Sequence, residues 1–191
     1  MKNLITISAP SGTGKTTLCK ALQNQFPDLK WSISYTTRTK RNTEQDGIDY
    51  YFILENKFKE LIDEGYFIEW EKVHGNFYGT SKETVLDTII KKNILLIEMD
   101  VKGALLIKKL YPNNTFSIFI IPPSVNHLRN RLIKRGTDSI ERINIRLQRF
   151  QKEMEYIDKF DQTLINKDLK LAKNQLVNII NKIKKGERNG T

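Results

Sequence analysis

A glycine-rich stretch close to the N-terminus constrains this chain more than any other feature. Residues 8–17 read SAPSGTGKTT, after the apolar run 4–7 and before the helical pattern of 18–26. The order is therefore strand, turn, helix. The glycines at 12 and 14 let backbone N–H groups converge without Cβ atoms in the way, and the N-terminus of a helix attracts anions. The pattern predicts a phosphate-binding loop in an α/β fold.

The spacing of the loop assigns roles to two of its residues. In the pattern G-x-x-x-x-G-K-[ST], the lysine reaches the β- and γ-phosphates and the hydroxyl residue binds the metal ion that bridges them. Lys15 and Thr16 stand at these positions, and Ala9 stands where the pattern has its first glycine. We expect a nucleoside triphosphate to bind along the phosphate-binding loop, which comprises Ala9, Pro10, Ser11, Gly12, Thr13, Gly14, Lys15, Thr16 and Thr17.

Further apolar runs predict the rest of a parallel sheet. Residues 94–100 form a run that ends in carboxylates, residues 116–121 form a second, and residues 163–165 form a short strand before a terminal helix. Continuous apolar runs are typical of strands buried on both faces. Because ligands of open α/β sheets lie beyond the carboxyl ends of the strands, Glu98 and Asp100 should lie beside the loop.

Two segments interrupt this pattern. Residues 31–35 alternate as in a strand, and residues 47–80 are rich in aromatic side chains and predict a small mixed insertion, mostly β. Residues 125–134 and 139–154 predict two helices. Six arginines of these helices are expected to form a cluster: Arg129, Arg131, Arg135, Arg142, Arg146 and Arg149.

Composition limits the functions that remain open. The formal net charge is +10, but from residue 167 to 188 lysines alternate with an apolar helical stripe, which indicates a solvated helix face rather than a specific nucleic-acid surface. The single cysteine, Cys19, excludes an intramolecular disulfide and favours a buried thiol. His74 and His127 lack metal-ligand spacing. The N-terminal segment predicts neither a signal peptide nor a membrane span, so we expect a cytoplasmic protein.

Taken together, these motifs resemble the guanylate kinase family of P-loop nucleoside monophosphate kinases over essentially the whole chain. Beyond the loop, the resemblance rests on residues 34–38, Arg41, Glu44, Gly47, 49–50, 67–70, 78–80, Asp100, 103–104, 122–124 and 135–139. The chain departs from the family pattern at Thr43 (usually Gly), Lys40 (often Pro), Glu98 (often Asp) and Lys167 (often Asp).

The resemblance implies a fold and a reaction. The fold is a single α/β domain with a three-layer P-loop NTPase core around a five-stranded parallel sheet. The core would comprise residues 1–30, 82–123 and 157–191, with a GMP-binding insertion (residues 31–81) and a helical lid (residues 124–156). The reaction is Mg²⁺-dependent transfer of the ATP γ-phosphoryl group to GMP, giving GDP and ADP in purine nucleotide metabolism, with dGMP as a second acceptor.

The chemistry of the reaction fits the residues available. The acceptor phosphate is already ionised at neutral pH, so it needs positive charge and alignment rather than a strong general base. Arg38 and Arg41, with the hydroxyls of Tyr50 and Tyr78, would hold that phosphate. The predicted catalytic cations are Lys15, Arg38, Arg131, Arg135 and Arg146, and Arg135 and Asn166 would also contact ATP.

Guanine would be recognised through its hydrogen-bonding edge. Its adjacent N1–H and N2–H groups suit one carboxylate, for which we predict Glu69, and its O6 suits the hydroxyls of Ser34 and Thr80. Asp100 is a candidate for the exocyclic amine or for the metal. Mg²⁺ would bind Thr16, with Glu98 or Asp100 contributing directly or through water.

Three alternatives and one open question accompany this hypothesis. A catalytically silent guanylate-kinase-like interaction module would be expected to lose loop or arginine residues, which are present here. A kinase for another phosphorylated acceptor is disfavoured by Ser34, Glu69 and Thr80. A nucleic-acid binder would be recognised by DNA retention at physiological salt. A monomer and a homodimer both remain open.

Overall fold

The computed structural model describes residues 2–73, 75–136 and 138–186. Residues 1, 74, 137 and 187–191 therefore lie outside the described residues, as does the side chain of Arg135. The strands are β1 (Leu4–Ser8), β2 (Lys30–Trp31), β3 (Tyr35–Thr36), β4 (Tyr51–Phe52), β5 (Phe67–Val73), β6 (Asn76–Ser81), β7 (Leu95–Met99), β8 (Thr115–Ile121) and β9 (Gln162–Ile165).

Seven α-helices occur in the described part of the chain, and a short 3-10 turn precedes β9. The helices are α1 (Lys15–Gln25), α2 (Glu55–Asp63), α3 (Lys82–Ile90), α4 (Val101–Leu110), α5 (Val125–Arg135), α6 (Ile140–Met154) and α7 (Leu169–Lys184). None of them is both long and apolar enough to cross a membrane.

A five-stranded parallel sheet in the order β2-β7-β1-β8-β9 forms the centre of the molecule. Strand β1 is buried at every position. Its Ile5 and Ile7 pack with α1 and α7 on one face, whereas Leu4 packs with α3 and α4 on the other. A strand buried on both faces needs apolar side chains in both directions. The predicted α/β fold with five parallel strands between two helical layers is confirmed, and Cys19 is buried as predicted.

A second, mixed sheet lies between β2 and α3 in the order β4-β3-β6-β5. Its apolar side is built by the stacked rings of Phe58, Phe67 and Phe77. The predicted single strand over 31–35 is wrong, because β2 pairs with β7 of the large sheet and β3 pairs with β6 of the small one. Polar and apolar residues alternate in the same way in β2 and in β3, so the alternation does not show that the two strands belong to different sheets.

Helices α5 and α6 form a pair that packs through Leu128, Leu132, Ile143 and Phe150. Each begins at a serine whose side chain accepts a backbone N–H: Ser124 caps α5 and Ser139 caps α6. The pair lies within residues 124–156 and the mixed sheet within residues 31–81. The division of the chain into core, insertion and lid as separate bodies stays a prediction.

Candidate functional site

The phosphate-binding loop joins β1 to α1, and two of its positions require glycine. Gly12 and Gly14 have φ angles of +90° and +93°, a region that other residues avoid. There is also no room for a side chain, because a Cβ at Gly12 would lie 2.8 Å from Leu132 Cδ2 and one at Gly14 would lie 2.7 Å from Asn166 Nδ2. The loop is thus packed tightly against α5 and the end of β9.

Side chains from distant parts of the chain support this loop. The Thr13 carbonyl accepts hydrogen bonds from Asn166 Nδ2 at 2.7 Å and from Arg131 Nη1 at 3.1 Å. Arg131 also donates to the Asn166 carbonyl at 2.9 Å. Arg146 donates to the Ser11 hydroxyl and pairs with Asp138 at 3.1 Å. Three predicted residues, Arg131, Arg146 and Asn166, therefore meet at the loop.

The other loop residues have simpler surroundings. The Pro10 carbonyl accepts the Thr13 hydroxyl at 2.8 Å, which closes the turn. Ala9 packs against the core on the α1 side of the sheet. Thr17 is exposed in the first turn of α1.

Lys15 and Thr16 meet the carboxyl end of β7. Lys15 Nζ donates to the Met99 carbonyl at 3.0 Å and lies 3.5 Å from Glu98 Oε1. The Thr16 hydroxyl donates to the same carboxylate oxygen at 3.1 Å. Burial, together with the negative charge of Glu98, raises the pKa of the Cys19 thiol well above its usual value. The expectation that Glu98 lies beside the loop is met by this geometry.

The oxygen atoms of Thr16 and Glu98 are the type of ligand that Mg²⁺ prefers. Among the described residues, no group of three or more His, Cys, Asp or Glu side chains has the arrangement of a metal site. This sparse donor set suits Mg²⁺, which usually takes one or two protein oxygens together with waters and phosphate oxygens. The residues present therefore fit the predicted ion.

Arg38 is held in a fixed orientation by Glu44. Its two terminal nitrogens reach the two carboxylate oxygens of Glu44 at 3.0 and 2.9 Å, and its guanidinium lies 5.4 Å from the ring centre of Tyr50. Burial alone would raise the pKa of Glu44, but hydrogen bonds from Arg38 and from the Arg41 N–H hold the pKa below its usual value. Glu44 thus stays charged and orients the Arg38 fork.

The remaining candidates for the acceptor phosphate lie around this pair. Arg41 has a side chain that is 57% exposed, so it is free to reach a ligand, while its nearest charged partner is Glu44 at 3.6 Å. The rings of Tyr50 and Tyr78 are 6.1 Å apart between their centres. Burial raises the pKa of Tyr50, and the charge of Glu98 adds to the shift. The Tyr50 hydroxyl therefore keeps its proton, and the negative charge of Glu98 helps to hold it there.

A further candidate is a buried carboxylate on β5, the strand that pairs with the one carrying Tyr78. Glu69 is 8% exposed, and its Oε1 accepts the Thr80 hydroxyl at 2.5 Å. Burial raises the pKa of Glu69 to about 7, and the nearby charge of Asp100 contributes, while the Thr80 hydrogen bond acts in the opposite direction. Ser34 is also buried, just before β3, where its carbonyl accepts the N–H of Tyr51 at 2.9 Å.

Asp100 connects the two halves of the site. It directly follows Met99, whose carbonyl holds Lys15, and its Oδ1 caps α4 by accepting the Gly103 N–H at 2.8 Å. A Cβ at Gly103 would lie 2.8 Å from Glu69 Oε2 and 3.2 Å from Asp100 Oδ1. The two carboxylates therefore approach each other around a glycine that has no side chain.

Some contacts near the site were not predicted from the sequence. Arg149 pairs with Asp100 at 3.5 Å and with Glu153 at 2.6 Å. Arg131, Arg146 and Arg149 contact residues of the site, whereas Arg129 and Arg142 are exposed. That all six arginines form one cluster stays a prediction. From the sequence, Glu44 was identified only as one of the residues that carry the family resemblance. The i, i+3 spacing from Arg41 to Glu44 is a signal for their contact, whereas no local signal connects Arg149 with Asp100.

This arrangement offers two regions with the charge to bind a phosphate. The loop with Lys15 and two arginines is one candidate region, and Arg38 and Arg41 with two tyrosines are the other. The hydroxyl and carboxylate groups of Thr80 and Glu69 add a hydrogen-bonding surface for a planar polar group. Such a site suits transfer between two nucleotides more than hydrolysis of one.

Comparisons with known proteins agree with this geometry. The family model for guanylate kinase matches residues 1–183. A curated guanylate kinase of Caldanaerobacter subterraneus subsp. tengcongensis is 46% identical over 177 residues, which cover 93% of this chain and 85% of that protein. A guanylate kinase of Wolinella succinogenes is 42% identical over 176 residues, covering 92% and 82% of the respective chains.

A solved structure shows the same fold. The crystal structure of guanylate kinase from Anaplasma phagocytophilum superposes with a TM-score of 0.77 at 29% sequence identity, covering 94% of this chain and 85% of that chain. The family match includes all nine strands described above. The chain therefore belongs to the guanylate kinase family, whose known reaction is the phosphorylation of GMP by ATP.

Proposed function

We propose that this chain is a guanylate kinase that transfers the γ-phosphoryl group of ATP to GMP in a Mg²⁺-dependent reaction, giving ADP and GDP, with dGMP as a second acceptor. The observation that carries the proposal is the position of Asp100. It follows the residue that holds Lys15 and lies beside the buried Glu69. A phosphate-binding region and a base-recognition region are therefore adjacent.

On the donor side, we propose that the phosphate-binding loop holds the ATP phosphates through its backbone N–H groups. Lys15, Arg131 and Arg146 would stabilise the charge that develops on the transferred group, because each lies at or against the loop. Asn166 would keep the loop in shape through its bond to the Thr13 carbonyl. Arg135, the last residue of α5, is proposed as a further cation for the same phosphates.

On the acceptor side, the GMP phosphate would bind Arg38, Arg41, Tyr50 and Tyr78. Arg38 is already oriented by Glu44, so less conformational entropy is lost when it binds. Since the acceptor phosphate has a second pKa of about 6, its oxygen is a nucleophile at neutral pH without a general base. The protein's task is then alignment and charge stabilisation.

Selection of guanine over adenine would rest on Glu69. Its carboxylate can accept the N1–H and N2–H groups of guanine, and Ser34 and Thr80 are proposed for O6. Adenine offers no such pair of donors, so its binding would leave a buried carboxylate without partners. A mismatch of this type can discriminate by about 10⁴-fold or more.

Mg²⁺ is proposed to bind at Thr16, with Glu98 or Asp100 as the carboxylate. The Thr16 hydroxyl and Glu98 Oε1 are already in contact at 3.1 Å. When bound, the ion would neutralise part of the negative charge on the donor phosphates. We propose the cytoplasm, where these nucleotides are metabolised, as the place of the reaction, with a monomer or a homodimer as the active form.

The test is a coupled assay of ADP formation with ATP and each of GMP, dGMP, AMP, CMP and UMP. We expect turnover with GMP and dGMP only. Lys15→Ala should remove most of this turnover while circular dichroism shows an intact fold. A folded wild-type protein without activity on any of the five acceptors would instead favour the silent interaction module. Preference for another acceptor would favour the related-kinase alternative.

A further inference from the structure

One turn of α6 contacts both halves of the site. Arg146 and Arg149 are three residues apart, which places them on the same face of the helix. Arg146 donates to the Ser11 hydroxyl of the phosphate-binding loop, whereas Arg149 Nη2 lies 3.5 Å from Asp100 Oδ2. A single helical segment therefore touches the loop through Arg146 and, through Arg149, touches Asp100.

Asp100 is held from two directions. Its Oδ1 accepts the Gly103 N–H at 2.8 Å, and its Oδ2 faces Arg149. Without Arg149, the cap bond to Gly103 would be the remaining contact that orients the carboxylate among those described. Since a like charge lies close by at Glu69, the cation of Arg149 also offsets repulsion between the two carboxylates.

Glu153 fixes Arg149 in turn. Arg149 Nε donates to Glu153 Oε1 at 2.6 Å, and the Glu153 side chain is only 13% exposed. Within the described part of the chain, Glu153 Oε2 is buried without a hydrogen-bond partner. An i, i+4 pair on a helix surface is usually worth only a few tenths of a kcal/mol. Here the pair is mostly buried, and its arginine reaches a carboxylate on another element.

We propose that Arg149 is a positioning residue that holds Asp100 in place and, through α6, couples binding at the phosphate-binding loop to binding at the Glu69–Asp100 carboxylates. This inference rests on the proposed function. Arg149 would contact neither nucleotide. It would act because a shift of α6 that moves Arg146 relative to the loop must also move Arg149 relative to Asp100.

The inference is tested by measuring the dissociation constant of GMP by calorimetry, with and without a non-hydrolysable ATP analogue and Mg²⁺. In the wild-type protein we expect the analogue to tighten GMP binding by about 5-fold or more. In Arg149→Gln this factor should fall towards one. Arg149→Lys keeps the positive charge, but lysine lacks the planar guanidinium that contacts both Asp100 and Glu153. For this variant an intermediate factor is expected.

Arg142→Gln is the matched control, because Arg142 is an exposed arginine on the same helix. It should keep the wild-type coupling factor. Thermal unfolding of each variant verifies that the fold is retained, and if Arg149→Gln does not fold, the comparison of Arg149→Lys with the wild type decides.

The inference is overturned if the ATP analogue does not tighten GMP binding in the wild type. It is also overturned if Arg149→Gln, or Arg149→Lys where Arg149→Gln does not fold, keeps the wild-type coupling factor. It is also overturned if Arg142→Gln lowers the factor as much as that variant does. Turnover of the wild-type protein with GMP is measured alongside. Absence of that turnover contradicts the proposed function, whereas unchanged coupling in an active protein contradicts only the role of Arg149.

Discussion

Thr80 and Glu69 face each other on neighbouring antiparallel strands, and the Thr80 hydroxyl donates a 2.5 Å hydrogen bond to Glu69 Oε1. The other carboxylate oxygen, Oε2, lies beside Gly103 at the start of α4. The protein therefore orients this carboxylate from both sides while keeping it 8% exposed. A side chain held in this way can discriminate between ligands by the hydrogen-bond donors that they carry.

Replacing Glu69 with Gln should weaken GMP binding much more than ATP binding. The amide keeps the size of the side chain but presents N–H donors where guanine also presents donors. Because hydrogen bonds to charged groups are worth about 1.5–3 kcal/mol, we expect the Michaelis constant for GMP to rise roughly 10- to 100-fold. Steady-state kinetics with each nucleotide varied separately measure this. Glu71→Gln on the same strand is the control, and equal effects on both nucleotides would assign Glu69 a structural role.

The raised pKa of Glu69 predicts a pH dependence of stability. The folded protein holds this proton with a pKa of about 7, against an ordinary value of 4.5. The folded state therefore binds the proton more tightly than the unfolded state does. The resulting stabilisation is present below pH 4.5 and is lost as the pH rises through about 7.

This loss should appear in chemical denaturation at a series of pH values. The free energy of unfolding of the wild type, relative to that of Glu69→Gln, should fall by about 3 kcal/mol across this range. A difference that is independent of pH would show that Glu69 titrates normally. The comparison with Glu69→Gln cancels the contributions of other titrating groups that the substitution leaves unchanged.

Gly103→Ala should impair GMP binding with little loss of stability. Gly103 lies in the first turn of α4 and has an ordinary helical backbone, so alanine is locally favourable. The new Cβ would lie 2.8 Å from Glu69 Oε2 and would push the carboxylate out of position. We expect a GMP affinity reduced about 10-fold and a nearly unchanged thermal midpoint. Lys109→Ala, at an exposed position of the same helix, is the control; a GMP affinity equal to that of the wild type would contradict the prediction.

Glu44→Gln should affect the acceptor phosphate but not the base. Gln can replace only part of the fork that holds Arg38, and it removes the negative charge. We expect GMP affinity to fall about 10-fold, since charge-assisted pairs of this kind are worth more than neutral hydrogen bonds. Guanosine, which has no phosphate, should bind to Glu44→Gln as tightly as it binds to the wild type. Equal losses for GMP and guanosine would mean that Glu44 supports the whole insertion, and the exposed Glu60→Gln serves as the control.

Much of the core could be predicted because its signals are local. The run 94–97 is apolar at every position, which is typical of a strand buried on both faces, and the loop glycines mark a turn whose geometry other residues avoid. Glu98 could be placed beside the loop because parallel strands bring their carboxyl ends to one edge. These inferences need only the order of the elements, not the details of side-chain packing.

The mostly β character of the insertion could be predicted, but the pairing of its strands and the contact between Arg149 and Asp100 could not. The chain changes sheets between Trp31 and Tyr35, and alternation of polar and apolar residues does not reveal the partner of a strand. Arg149 meets Asp100 across 49 residues of sequence. Such contacts depend on how α6 packs against the sheet, so exposed and buried arginines on one helix look alike in the sequence.

The hydrogen bond from Asn166 to the Thr13 carbonyl has a consequence for biosynthesis, because 153 residues separate the two. Helix α1 also shares its core with α7, which follows Asn166 in the chain. Before the ribosome has added Asn166 and α7, Glu69, Thr80 and Asp100 have already been made, yet the phosphate-binding loop lacks both the Asn166 side chain and the apolar face that α7 supplies. A nascent chain can therefore bring Glu69, Thr80 and Asp100 together first, and it completes the phosphate-binding loop only after Asn166 and α7 have been made.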